Sequence, residues 1–262
     1  MPPAEFDTYA DTYHSALEQG IRLSGEDSGY FAQTRVDWLA ERLRELGAPS
    51  RTLLDFGCGT GTATPYLLGL PGAERLVGVD VSLASLETAR REHPSPHAAF
   101  VPVEQSPVAA VDVAYCNGVF HHIPLSERSS ALATVRDALR PGGLFALWEN
   151  NPWNPGTRLI MRRIPFDRDA VTLTAGEARR MLRNAGFEIV ITDFLFVFPR
   201  ALRALRPIER RLTRLPAGAQ YLVLARCPLA GTPRDDQHRR RARAELATQQ
   251  VNAGKAARNG AP

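Results

Sequence analysis

The chain has 262 residues, 44% of them hydrophobic, and a formal net charge of +4, which allows one large core or two small ones. No stretch approaches the roughly 18 consecutive apolar residues that cross a bilayer, and MPPAEFDTYA lacks the basic-then-apolar order of a signal peptide. Cys58, Cys116 and Cys227 lie too far apart to frame a disulfide scaffold or a zinc site, so a cytoplasmic protein without a metal is expected. Of 32 basic and 28 acidic residues, seven and three fall in 229–262, which leaves the body neutral with 25 of each. The basic excess belongs to a tail expected to be disordered, and no nucleic-acid-binding face is expected on the fold.

In chain order, residues 5–23 place Phe6, Tyr9, Tyr13 and Leu17 at helical spacing, and a polar break runs through Gly25 and Gly29. A second helix, Tyr30 to about Leu46, carries Phe31, Val36, Leu39, Leu43 and Leu46 on one stripe and stops at Gly47 and Pro49. Leu53 to Thr62 then reads as an apolar strand ending in a carboxylate and a turn with glycines at 57, 59 and 61; a helix follows from Thr64 to Leu70. That is the nucleotide-binding opening of an open α/β sheet. Its spacing discriminates between ligands. A dinucleotide fold wants a third glycine at 62, where this chain has Thr, and Asp55 would repel a pyrophosphate. The acid suits a ligand with an ammonium and a sulfonium but no phosphate.

Arg75–Asp80 reads as a second buried strand. Asp80 falls 23 residues after Gly57, the usual distance for an acid that accepts the ribose hydroxyls. Val81 and Ser82 open the next helix, with Ser82 as its N-cap. Ala98–Val103 is strand three, although Pro102 removes a ladder donor, and Glu104 follows it. Strand four, Val111–Cys116, runs into the loop Asn117–Pro124 with His121 and His122. Ser126 is placed to cap a helix over 127–139, which Arg140-Pro-Gly-Gly143 breaks before strand five at Leu144–Trp148. Glu149, Asn150, Asn151 and Trp153 then crowd the sheet's carboxyl edge, either as a substrate wall or as a connecting loop. A helix over 175–185 precedes strand six (Phe187–Phe198), and Gln220–Arg226 is the last strand. Between these two strands, Pro199–Leu215 aligns Leu202, Leu205, Ile208, Leu212 and Leu215 on one helical face with arginines around the rest. Such a helix either packs on its own domain or lies on a membrane.

The motif Asp55-x-Gly57-x-Gly59-x-Gly61, with Asp80, the loop after strand four and Arg-Pro-Gly-Gly, resembles the class I S-adenosylmethionine-dependent methyltransferases over about residues 50–226. It is most similar to their small-molecule group. The resemblance implies an α/β fold: a single doubly wound, mostly parallel seven-stranded sheet with an antiparallel last strand. It also implies an N-terminal helical lid over 1–49 and a cofactor-binding domain over 50–228; the helix at 199–215 departs from the family, whose last two strands usually form a hairpin, and composition sets off the tail at 229–262. S-adenosylmethionine is the implied cofactor, held by Asp55, Gly57, Cys58, Gly59, Gly61, Asp80, Val81 and Asn117, with Glu104 reading the adenine amino group. Arg35 is placed to meet the cofactor's carboxylate, as an arginine does in some relatives, or else is a surface arginine.

Tyr9, Tyr13, Asn150, Asn151 and Trp153 are the candidate substrate contacts. His121 is the expected base, because similar enzymes place one just after this loop. His122 is expected to be held structurally, since adjacent histidines are not expected both to face the acceptor, and Glu149 is the reserve base. The expected activity is in-line methyl transfer to an O or N atom of a small-molecule acceptor. A membrane-associated enzyme with a quinone-like or lipid acceptor and a non-catalytic binding protein are the alternatives. No Asn-Pro-Pro-Tyr motif of the amino-methylating nucleic-acid enzymes follows strand four.

Overall fold

A computed structural model describes residues 13–164 and 170–229, with side chains from 17 onward. Phe6, Tyr9 and the tail beyond Leu229 lie outside the described residues, and of Tyr13 only its place at the start of α1 is described. The elements run α1 (Tyr13–Ile21), α2 (Ser28–Glu45), β1 (Thr52–Phe56), α3 (Thr64–Leu68), β2 (Arg75–Asp80), α4 (Leu83–Glu92), β3 (Ala98–Pro102) and β4 (Val111–Asn117). They continue with α5 (Arg128–Ala138), β5 (Leu139–Asn150), α6 (Pro155–Met161), α7 (Ala175–Asn184), β6 (Glu188–Leu195), α8 (Arg206–Leu212) and β7 (Gln220–Arg226).

The strands form one sheet of seven in the order β3-β2-β1-β4-β5-β7-β6. Strands β1 to β5 pair in parallel, and β7 runs antiparallel between β5 and β6. The expected doubly wound sheet with an antiparallel last strand is therefore present. Strand order reverses between β1 and β4, and in open α/β sheets the carboxyl edge at such a point is the ligand crevice. Strands buried on both faces read as nearly continuous apolar runs, which is why β2 keeps the expected bounds. Pro102 costs no interior ladder bond, because it ends an edge strand.

Alternation along the strands builds two cores. Leu54, Phe56, Ala114, Cys116, Phe145 and Leu147 pack on α5 and α7. Leu53, Val113, Tyr115, Ala146 and Trp148 pack on α2 and α3. Helix α2 is fixed to the second face by a buried polar contact, Trp38 Nε1 donating to Asp193 Oδ2 at 3.0 Å.

Several local expectations change. Helix α2 starts two residues earlier than expected, because Asp27 caps it by accepting from the Tyr30 amide at 2.7 Å. Gly29 thus lies inside the helix, and Leu46 is an exposed C-cap. Ser82 caps α4 as expected, accepting from the Ser85 amide. Ser126 does not cap α5: Glu127 holds that place without a side-chain bond. Arg140-Pro-Gly-Gly143 does not turn into the strand but belongs to it. Leu139 already pairs with Val111, and a register shift between Val111 and Val113 absorbs the glycines. The expected helix over 199–215 is broken into a 3-10 segment, Arg200–Leu205, and the short α8. Pro207 stands at the start of α8, where its ring is tolerated, and would clash in the interior of one continuous helix.

Candidate active site

The carboxyl ends of β1 and β4 open onto a pocket roofed by α1, α2 and α6. Its floor begins at the glycine turn. Gly57 has φ +73°, and a Cβ there would run into the Val119 side chain, so no other residue fits both the conformation and the space. Gly59 donates its amide to Asp80 Oδ2 at 2.8 Å, while Ser82 donates to Oδ1 at 2.9 Å. These bonds fix the Asp80 carboxylate beside the turn.

Asp55 is buried at the end of β1. Burial, reinforced by the Asp80 charge and opposed by Arg35, lifts its pKa to about 7. Arg35 is buried, not on the surface: its Nε donates to Tyr115 Oη at 3.1 Å and its Nη1 to Gln220 Oε1 at 2.8 Å. Asn117 lines the pocket with a buried Oδ1 that has no hydrogen-bond partner among the described residues. Cys58 also lines it, with burial pushing its thiol well up, so it stays protonated.

On the sheet's other face, His121 Nδ1 lies 2.6 Å from Glu149 Oε2, and Glu149 Oε1 accepts from the Phe120 amide at 2.8 Å. Both side chains are almost wholly buried. Glu149 is therefore the partner of His121 and does not itself reach the pocket. His122 lies against His121, ring centroids 4.1 Å apart, and both histidines line the pocket.

Of the other expected residues, Asn150 lines the pocket and its Oδ1 accepts from Gln220 Nε2. Asn151 turns away and donates to the Pro216 and Gly218 carbonyls, and Trp153 is 65% exposed; neither lines this pocket. Gly61 faces α4, where a Cβ would meet His93, and Val81 is exposed. Asp80, Val81 and Glu104 do not line this pocket. Tyr115 and Gln220 are additional wall residues that the sequence did not single out.

The pocket suits a ligand with a cationic and an anionic pole on a nucleoside. Asp55 and the Asn117 oxygen could hold a cation, Arg35 a carboxylate, and Asp80 a ribose. These are the poles of S-adenosylmethionine, and the residues fit it. Strand order, glycine turn and acid together define a class I methyltransferase fold.

Comparison with known proteins agrees. A family model described as a methyltransferase domain matches residues 54–145, and S-adenosylmethionine is the cofactor that such a domain implies. A tRNA U34 carboxymethyltransferase of Shewanella loihica is 37% identical over 166 residues, 58% of this chain and 44% of that protein. A trans-aconitate 2-methyltransferase of Methylobacterium nodulans is 31% identical, covering 60% of this chain and 61% of its own. The chain thus spans about half the length of the curated relatives it matches. Among solved structures, a chain from the complex of the Haloferax volcanii Trm112 activator with a methyltransferase superposes with a TM-score of 0.58 at 19% identity, covering 87% of this chain and all of that one. An S-adenosylmethionine-dependent methyltransferase from Mesorhizobium loti gives 0.52 at 22% identity, covering 73% and 99%. Both share the fold.

Proposed function

We propose that this chain is a methyltransferase that moves the methyl group of S-adenosylmethionine to an oxygen or nitrogen of a small, largely apolar acceptor, with His121 as general base. The observation that carries this reading is the buried His121–Glu149 pair at the pocket wall. When bound, the cofactor supplies an electrophilic methyl carbon. The protein supplies position and a proton acceptor.

With Nδ1 donating to the Glu149 carboxylate, the basic nitrogen of the neutral ring is Nε2. His121 then takes the acceptor's proton, and Glu149 steadies the imidazolium that forms. Glu149 is itself held by the Phe120 amide, so the pair is set before any ligand arrives. Asp55 and Arg35 hold the cofactor's two poles, and α1 and α6 shut out water.

The roof supports the acceptor class. Leu17, Ile21, Phe31, Ile160, Met161 and Ile164 form its apolar wall, and Arg35 is the one Lys or Arg lining the pocket among the described residues. That arginine is already bonded to Tyr115 and Gln220. A polyanion such as the substrate named for the trans-aconitate relative would find too little positive charge. An apolar body with one hydroxyl or amine fits the wall. No helix among the described residues is long and apolar enough to cross a membrane.

The test is transfer of radiolabelled methyl from S-adenosylmethionine to three panels: apolar phenols and amines, small polycarboxylates, and tRNA. Labelling of the first panel that disappears in His121→Ala, with cofactor binding intact, is the expected result. Labelling confined to tRNA or to the polycarboxylates would overturn the acceptor assignment.

A further inference from the structure

We propose that residues 199–215, the insertion between β6 and β7, form a docking surface for an anionic phospholipid bilayer. An amphipathic segment that packs on its own domain buries its aliphatic side chains and leaves its cations in water. Here the aliphatic side chains are not buried. Leu202, Leu205, Ile208 and Leu215 are between 39% and 54% exposed. Arginines supply several of the contacts that hold the segment down. Arg206 pairs with Glu26 at 2.8 Å and lies over the Tyr30 ring, and Arg210 pairs with Glu41 at 2.7 Å. Arg200 donates to the Gly25 carbonyl at 3.2 Å.

The outward side therefore carries aliphatic groups interleaved with Arg203 and Arg211, both exposed and without an ion pair or side-chain hydrogen bond among the described residues. The one acid of the insertion, Glu209, is turned inward and accepts from the Phe198 amide at 2.7 Å. Net positive charge over exposed Leu and Ile matches a surface of anionic headgroups above acyl chains. Trp153 lies on the loop beside the insertion's end. Asn151 and Asn154 tie its loop to the carbonyls of residues 216–218, which leaves the indole exposed next to the insertion's end. Trp is a side chain favoured at the headgroup level. A single-stranded nucleic acid would ask instead for aromatic platforms between the arginines; within 199–215 every exposed apolar side chain is aliphatic.

The test is flotation of the full chain with vesicles of equal parts phosphatidylglycerol and phosphatidylcholine, with phosphatidylcholine alone, and filter binding to tRNA. No cofactor or acceptor is added, so the outcome is independent of the methyl-transfer reading. The expected result is flotation with the anionic vesicles, weakened by salt and cut by about tenfold or more in both Leu205→Glu/Ile208→Glu and Arg203→Glu/Arg211→Glu. All four side chains are exposed, and an unchanged melting temperature confirms that the variants fold. Three results would overturn the proposal. They are no flotation, flotation unchanged by either double variant, and tRNA binding that the arginine pair abolishes while the Leu/Ile pair leaves it intact.

Discussion

His121 Nδ1 and Glu149 Oε2 lie 2.6 Å apart in a setting that leaves the two side chains 2% and 1% exposed. They come from different elements, the loop after β4 and the end of β5, and meet because those strands are parallel neighbours. A carboxylate buried this deeply next to an imidazole fixes which nitrogen carries the proton. In Glu149→Gln the amide oxygen still accepts from the Phe120 amide, and its NH₂ turns toward Nδ1. The other tautomer is then favoured and Nε2 can no longer take a proton. We expect kcat to fall by about 10²–10⁴-fold with cofactor affinity and acceptor KM nearly unchanged. Activity should partly return at alkaline pH for acceptors acidic enough to ionise unaided. A variant with full kcat across the pH range would remove His121 as base.

Asp55 gives a pH signature. Its pKa is about 7 in the folded chain against an ordinary 3.8, so between those values the native state binds more protons than the unfolded one. Stability then falls as pH rises through that window and levels off above about 7, by on the order of 4 kcal/mol in total. Asp55→Asn should flatten this slope and raise the melting temperature of the ligand-free protein at pH 8. A cationic ligand pole prefers the carboxylate, so cofactor binding should tighten from pH 6 to 8 and release a proton. Calorimetry in buffers of different ionisation enthalpy reads that proton directly, and the release should vanish in the Asn variant.

Much of this site was legible in the sequence because the fold rule places the carboxyl ends of parallel strands on one edge. The glycine turn, Asp80, Asn117 and His121 could be set near one another before any coordinates. What was hidden depends on partners distant in sequence. Arg35 reads as a surface residue until Tyr115 and Gln220, 80 and 185 residues away, are seen to bury it. Tyr115 carried a usable signal, since it alternates onto the same face as Val113 at the end of β4. Nothing local marked Gln220. Asn151 and Trp153 looked like a substrate wall by composition, yet two carbonyls of the 216–218 loop take the asparagine amide. The break in 199–215 was readable at Pro207, where the apolar spacing had suggested a continuous helix.

Arg35 should distinguish the cofactor's carboxylate from the rest of the molecule. Arg35→Gln keeps a donor for Tyr115 and loses the charge, so affinity for S-adenosylmethionine should fall by about tenfold or more, as expected for a lost charge-assisted bond. The decarboxylated analogue should bind wild type and variant alike. Equal losses for both ligands would mean that Arg35 supports the pocket without meeting a carboxylate.

The contact of Trp38 with Asp193 tests how α2 is anchored. Burial raises the Asp193 pKa, and the Trp38 indole and the Arg42 charge partly offset it. Trp38→Phe removes the indole donor while keeping an aromatic ring in the core. The carboxylate Oδ2 then relies on Arg42 Nε at 3.4 Å. We expect a loss of about 1–3 kcal/mol in denaturant unfolding, with a smaller loss in Trp38→Phe/Asp193→Asn. Equal losses would assign the effect to packing alone.

Gly20 decides how tightly the roof closes. It lies near the end of α1, and a Cβ built there would run into Ile164, just beyond α6. Glycine weakens a helix by about 1 kcal/mol relative to Ala, and here it permits α1 and the Ile164 segment to touch over the pocket. Gly20→Leu should push α1 away from Ile164 and open the apolar wall. The acceptor KM should then rise by about tenfold or more, while cofactor affinity, set mainly by β1, β2 and Asn117, changes little. Removing the obstacle in Gly20→Leu/Ile164→Ala should recover much of the loss, giving a coupling of about 0.5–3 kcal/mol in the double-mutant cycle. Additive effects would show that the two residues act separately and that the roof does not close through this contact.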